Sequence, residues 1–412
     1  MNEPADGMSR YVVGGVVVLC LLMILGWFAT RHELPPPDQQ SAKVETVRPA
    51  AAFKPDDDFP PDKDAKATAV PAESSASTNA AAIYGQAFNL FNRLSQEQKD
   101  ILRDWETNVD ASVEVELCEQ LRPICDLMHQ ATAVTNCDWG IDNPINFDTR
   151  LPHLAASRNI ARAAMWSAAH CRRDDAAGAA DDAVSVLRLG EQVSHSALIG
   201  YLVDVNLHHM ASAYVSQNLG MFQGADAQRL AAAFGDPAYG EAPSDMINLE
   251  ADMAQRLAAE LASMSADEIR DELAKVGDSS EGPPPTIDRA GALAALAQVV
   301  ESDRQLAGLL QSSTEDEYET WQHHAADIEA SNPFARMFLT GLNGVMDRVR
   351  GAAVEQQMMV AALTVAQNGP EALVTVPDPA SGQAFIYTET DDGFDLQSAY
   401  VVKGQPYVMH FK

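Results

Sequence analysis

The chain has 412 residues, 46% of them hydrophobic, which is enough to bury a large core and excludes global disorder. Its formal net charge is −31, a field that repels phosphate backbones and anionic headgroups and so argues against nucleic acid as a partner. Basic proteins or cations are the natural counterparts, although the same charge also serves solubility.

Residues 1–10 form a short head. Tyr11 to Ala29 then read YVVGGVVVLCLLMILGWFA, an uncharged run bounded by Arg10 and Arg31. As a helix it spans about 28 Å, close to the hydrocarbon thickness of a bilayer. Tyr11 and Trp27 fall where interfacial aromatics belong. The exit, Trp27-Phe28-Ala29, lacks the small residues of a cleavage site, so a retained transmembrane helix is expected. Cys20 follows Val17-Val18-Leu19, which does not suit lipoprotein processing. A short head and a large tail favour the head inside and the body outside; the single anchor followed by a long Pro-rich spacer resembles the plan of bacterial envelope proteins, which implies an inner-membrane protein with its body in the periplasm. Residues 30–80 carry Pro35-Pro36-Pro37, Pro60-Pro61 and Asp56-Asp57-Asp58, too few large apolar groups to offset ordering entropy. They read as a solvated linker of roughly 40 Å average reach.

The body holds 21 basic and 48 acidic side chains, a net charge of −27. Three units are expected: a helical domain over 81–277, a boundary loop at 278–285 (DSSEGPPP), and a helical continuation over 286–369 that contains a long helix. Residues 370–412 close the chain as a β-hairpin region. Ser95 and Gln98 form a capping box ahead of Ile101, Leu102, Trp105 and Val109. A second helix carries Val113, Leu117, Leu121, Ile124 and Met128, with Pro123 as a kink or restart. Residues 136–151 read as a loop and Pro152 as a helix start.

Residues 152–192 then pair two Ala-rich helices around Arg172-Arg173-Asp174. Ala197 to Leu219 is apolar around most of its circumference and predicts a central core helix ending at Gly220. Met246, Leu249, Met253, Leu257 and Leu261 mark the next stripe, and Ser265 with Glu268 caps a short helix. Helices over 287–311 and 315–330 follow. Asn332-Pro333 opens the long helix, which Gly341, Gly344 and Gly351 could bend before it ends near Gly369. Beyond Pro370 the pattern alternates, predicting strands at 384–388, 394–398 and 407–411 with Asp392-Gly393 as a hairpin signal. The fold class is therefore mainly α, a multi-helix body with αα-hairpins and a small antiparallel C-terminal β element, behind one transmembrane helix.

Candidate chemistry is sparse. Asp204 with His208, and His323 with Asp327, are i,i+4 pairs that could each give a metal two ligands, but neither brings a third. No GxSxG, SxxK, GxxxxGK[ST] or GxGxxG occurs, so no catalytic residue, metal or cofactor is assigned. Cys118, Cys125, Cys137 and Cys171 are expected to form one or two disulfides in an oxidising compartment, with the pairing open. A bond between Cys118 and Cys125 would need a break at Pro123, since an unbroken helix separates them by about 10.5 Å.

The order of a long helix, Asp378-Pro379-Ala380-Ser381-Gly382, Phe385-Ile386-Tyr387 and Asp392-Gly393-Phe394-Asp395-Leu396-Gln397-Ser398 resembles the tail of uncharacterised bacterial membrane-anchored envelope proteins. Leu151-Pro152-His153-Leu154 is similar to the same group. Major-pseudopilin C-termini share the helix-then-hairpin layout, although the pseudopilin processing site is missing here. The 152–192 pair looks like a tetratricopeptide-type hairpin without that repeat's Trp, Gly, Tyr and Pro signature; an ordinary αα-hairpin fits the same residues. These resemblances imply fold rather than activity. The expected function is an envelope scaffold or adaptor that binds another envelope protein. An envelope hydrolase whose site converges only in three dimensions is the alternative.

Overall fold

The computed structural model describes residues 79–412, except 142–148, 195–196, 237–242, 266, 269–288, 313–314, seven positions between 333 and 343, and 403. The expected anchor, Tyr11–Ala29, and the linker lie outside the described residues. Among those described, no helix is long and apolar enough to cross a membrane. The architecture is mainly helical with a three-stranded antiparallel sheet at the C-terminus.

Helix α1 (Ala80–Asn92) opens on Asn79, whose side chain accepts from the Ala81 N–H and also bonds both backbone groups of Asp138. The Ser95–Gln98 capping box forms at the start of α2 (Gln96–Ile101). Helix α3 (Ala111–Thr132) continues through Pro123 as one element, so the chain does not restart there. Leu117, Leu121, Ile124 and Met128 are fully buried along it, and that packing outweighs the roughly 3 kcal/mol a mid-helix proline costs. Helices α4 (Pro152–His170) and α5 (Ala176–Val193) form the expected Ala-rich hairpin, with Ala161, Ala164, Ala168, Ala180 and Ala183 sealed at the contact.

The central helix α6 (Leu198–Gln217) is followed by α7 (Ala225–Gly235), α8 (Pro243–Ser263), α9 (Arg289–Ser312), α10 (Glu315–Ser331) and α11 (Val345–Asn368). Ser265 and Glu268 exchange the two hydrogen bonds of a capping box. Residues 278–285 fall outside the described set; the helices flanking them, α8 and α9, pack on each other within one core. The long helix begins at Val345 instead of Asn332. Gly344 sits at φ 88, a left-handed conformation that stops a helix rather than bending it.

Two apolar cores result. The first gathers α1, α3, α4, α5, α7, most of α6 and α11, and the inner face of the sheet. The second gathers α8, α9, α10 and the segment up to Val345, and it takes in Leu198 and Tyr201 from the start of α6. Helices α6 and α11 therefore belong to both cores and touch each other where the cores meet.

Strands β1 (Ile386–Thr390), β2 (Gly393–Val402) and β3 (Gln405–Phe411) pair in sequence order, with Leu396 opposite Met409 and Phe394 opposite Phe411. Leu396, Ser398 and Phe411 turn inward. The Asp378-Pro379-Ala380-Ser381-Gly382 motif is a clasp. Asp378 is 1% exposed and accepts from the Ala380 and Ala399 N–H groups and from the Ser381 and Ser398 hydroxyls. Lys412 exchanges backbone bonds with Ser216 and Gly220, fastening β3 to the end of α6. A Cβ at Gly393 would meet the Phe411 carbonyl oxygen. Gly393→Ala is accordingly expected to cost about 1–3 kcal/mol through strand displacement, read as a lower urea midpoint, whereas Gly308→Ala, which meets nothing, should leave the midpoint unchanged or raised.

Candidate functional site

The junction of the two cores holds a cavity of about 220 Å³ between α6 and α11. Helix periodicity explains its lining. Leu202, Val205, Asn206, His208, His209 and Ser212 line it from α6, and Arg348, Ala352, Glu355 and Gln356 line it from α11. Leu202, Val205 and Ala352 are its apolar lining, and the other seven side chains are polar.

Glu355 organises the polar lining. The His209 Nδ1 lies 3.1 Å from both of its oxygens, the Tyr407 hydroxyl donates to it at 3.2 Å, and the Ser212 hydroxyl donates as well. Burial opposes ionisation of this carboxyl, but the adjacent His209 charge and these hydrogen bonds outweigh it and hold Glu355 below the usual range. The Glu355 charge in turn raises the His209 imidazole above its ordinary value. Each partner thus favours the charged form of the other. Burial first, and then the Glu355 charge, pushes the Tyr407 phenol far up, so Tyr407 acts as a hydrogen-bond donor.

His208, next in sequence, also lines the cavity. Its Nε2 sits 3.4 Å from Asp204 Oδ1, and both side chains are buried. Burial drives His208 down to about 3 and pushes Asp204 well up, helped by the Glu191 charge. The structure therefore brings Asp204 and His208 together inside the core, where burial disfavours the charged form of each. His323 and Asp327 lie exposed on the outer side of α10, opposite Trp321, Ala325 and Ile328. Among the described residues, no group of three or more His, Cys, Asp or Glu side chains is placed to hold a metal ion.

Cys118 on α3 is bonded to Cys171 at the end of α4, while Cys125 and Cys137 are free thiols. Cys125 is fully buried, and that burial raises its thiol well above the ordinary value, so it is no nucleophile. A second polar node lies close by. Asp182, fully buried on α5, accepts from the Ser167 hydroxyl at 2.9 Å and faces the His129 Nε2 at 2.8 Å. Serine and histidine each address the carboxylate rather than one another, so the node braces three helices and does not form a nucleophile relay.

An open groove runs along α2 and the foot of α3. It encloses about 480 Å³ over Ile101, Val109 and Val113, with Glu97, Asn108 and Asp110 at its edge. Val113 is 37% exposed and Val115, beside it, 61%. The capping box located α2, but Trp105 and Val109, expected on one helical face with Ile101 and Leu102, lie beyond its end at Ile101. The Glu355 hub was not legible in sequence, because its partners come from three elements and no spacing within one segment announces them.

Compared with known proteins, the chain matches no family model, no curated protein and no solved structure.

Proposed function

We propose that this chain is a single-pass, membrane-tethered interaction module of the bacterial envelope, whose acidic helical body captures a basic, amphipathic segment of another envelope protein. The uncharged Tyr11–Ala29 run and the Pro-rich linker support the tether. The Cys118–Cys171 bond suits an oxidising compartment such as the periplasm. The resemblance of the C-terminal tail to membrane-anchored envelope proteins agrees with that setting.

The groove of α2 and α3 carries the reading: Ile101, Val109 and Val113 stand partly open to solvent beside Glu97 and Asp110, on a body of net charge −27. Such a surface fits an amphipathic peptide with apolar anchors and a Lys/Arg-rich flank. Opposite charge speeds encounter and makes binding salt-sensitive. The hydrolase reading has less behind it, since Cys125 is buried, the Ser212 hydroxyl is committed to Glu355 and Ser167 to Asp182.

The test uses the full chain in detergent micelles and a labelled amphipathic helical peptide made in a Lys-rich and a Glu-rich version, followed by fluorescence anisotropy. The Lys-rich peptide is expected to bind, to weaken as salt rises, and to lose about tenfold or more in affinity in Val113→Asp, which removes an apolar anchor. Val374→Asp, at a more exposed valine remote in sequence, should bind like the parent. Equal binding of both peptides, or no loss in Val113→Asp, would overturn the proposal.

A further inference from the structure

The linker ahead of α1 contains one stretch unlike the rest of it. Residues 43–54, KVETVRPAAAFK, hold three basic side chains, Lys43, Arg48 and Lys54, against the single acid Glu45. They also hold Val44, Val47 and Phe53, half of the large apolar residues between 30 and 80. The remainder of the linker is acidic, with three basic and eight acidic side chains. The groove of α2 and α3 presents the complement. Ile101, Val109 and Val113 give it apolar contact, and residues 95–119 around it carry eight acidic side chains against two basic ones. One of those two, Arg103, is paired with Asp100 at 3.1 Å.

Distance decides whether the stretch can reach the groove. Ala80, the first residue of α1, donates its N–H to the carbonyl of Asn136, four residues beyond the end of α3. Val113 stands at the other end of that helix, 19 residues before Thr132. At 1.5 Å per residue the two places are about 28 Å apart. From Lys54 to Asn79 the chain advances 25 residues, and a solvated chain of that length averages about 25–30 Å end to end. A tether whose average reach matches the span gives the highest effective concentration, about 1 mM.

We propose that residues 43–54 of this chain occupy the groove of α2 and α3 intramolecularly, so that a partner segment binds only by displacing them. Val44, Val47 and Phe53 supply the apolar anchors, and Lys43, Arg48 and Lys54 meet the acidic edge that includes Glu97 and Asp110. The inference rests on the reading of that groove as a peptide site and adds a threshold to it. A tethered segment with a Kd of about 0.1 mM, held at about 1 mM, leaves about a tenth of the grooves open and weakens a partner's apparent affinity about tenfold.

The test compares the full chain in detergent micelles with a triple variant, Val44→Asp, Val47→Asp and Phe53→Asp, which removes the anchors and leaves the body unaltered. The labelled Lys-rich peptide should bind the variant about tenfold more tightly than the parent, and an unlabelled synthetic peptide of residues 42–55 should displace it. A benzoylphenylalanine photo-cross-linker substituted for Phe53 should, on irradiation, join residues 97–113 in a product with the mass of one chain, and Val113→Asp should remove that product. Equal binding of the Lys-rich peptide to parent and triple variant overturns the inference while the groove reading stands. Cross-links to another part of the body, or a product with the mass of two chains, overturn the intramolecular contact. Binding of the Lys-rich peptide to neither chain overturns the groove reading and this inference together.

Discussion

Reduction of the Cys118–Cys171 bond, or its replacement by Cys118→Ser with Cys171→Ser, is expected to destabilise the first core by about 4 kcal/mol. The bond spans a sequence separation of 53 residues, and closing a loop of that length removes about this much free energy from the unfolded chain's advantage. It also fixes α3 to the end of α4, next to the Asp182 node that holds the same helices together. In a thermal melt followed by circular dichroism, a core of this size should lose about 8 °C. The second core contains no cysteine, so its transition should stay in place where the two are resolved. Cys125→Ala, which alters a free thiol, serves as the control. Protein isolated from the envelope should show two fewer alkylatable thiols before reduction than after. Identical masses, or a melt indifferent to reductant, would contradict both the bond and the oxidising compartment inferred from it.

Much of this architecture is written locally. Side chains a few residues apart determine the capping boxes at Ser95 and Ser265, the small-residue seam of α4 and α5, and the period change after Pro370. Each therefore stands close to where sequence reading puts it. Pro123 and Gly344 show the opposite case. Proline disfavours a helix interior and glycine tolerates one, yet α3 continues through Pro123 while the chain breaks at Gly344. Burial of Leu121, Ile124 and Met128 decides the first, and a left-handed backbone angle decides the second. Local propensity is the weaker term in both.

The candidate sites divide in the same way. The i,i+4 spacing of Asp204 and His208 places them together, but spacing says nothing of dielectric, and burial disfavours the charged form of both. Glu355 lies 146 residues from His209 and 52 from Tyr407. Three elements must fold before that hub exists, and an isolated Glu on an Ala- and Met-rich helix carries no signal of it. Asp378 is intermediate. Its motif was conspicuous in the sequence, and only the structure gives its task, which is to satisfy the turn before β1 and the middle of β2 with one carboxylate.

Raising the pH from about 5 to about 9 is expected to loosen the second core, and neutralising two of its carboxyl groups should suppress much of that loss. Glu250 on α8 accepts from the Leu198 N–H at 3.3 Å, where α6 enters this core. Asp303 on α9 is 2% exposed, and its Oδ1 accepts no hydrogen bond. Burial pushes Glu250 up to about 7 against the pull of that N–H. Burial, and then the Glu250 charge, pushes Asp303 up to about 8. Both groups are therefore protonated in the folded chain at a pH where the unfolded chain, titrating near 4, has released its protons. The stability this gives is complete below about pH 4 and is lost as the pH climbs through 7 to 8. At about 1.4 kcal/mol per pH unit of displacement, and allowing for relaxation around the ionised pair, the loss across the window should be roughly 3 kcal/mol. Trp321 reports it locally, because its indole donates to the Ser302 carbonyl beside Asp303. Urea midpoints read by tryptophan emission should fall with pH in the parent and much less in Glu250→Gln with Asp303→Asn. A gentler slope should persist in that variant, since the raised His209 also withdraws stability as it deprotonates. Parallel pH profiles for parent and variant would show that these two carboxyl groups titrate normally and that the second core does not exclude their charge.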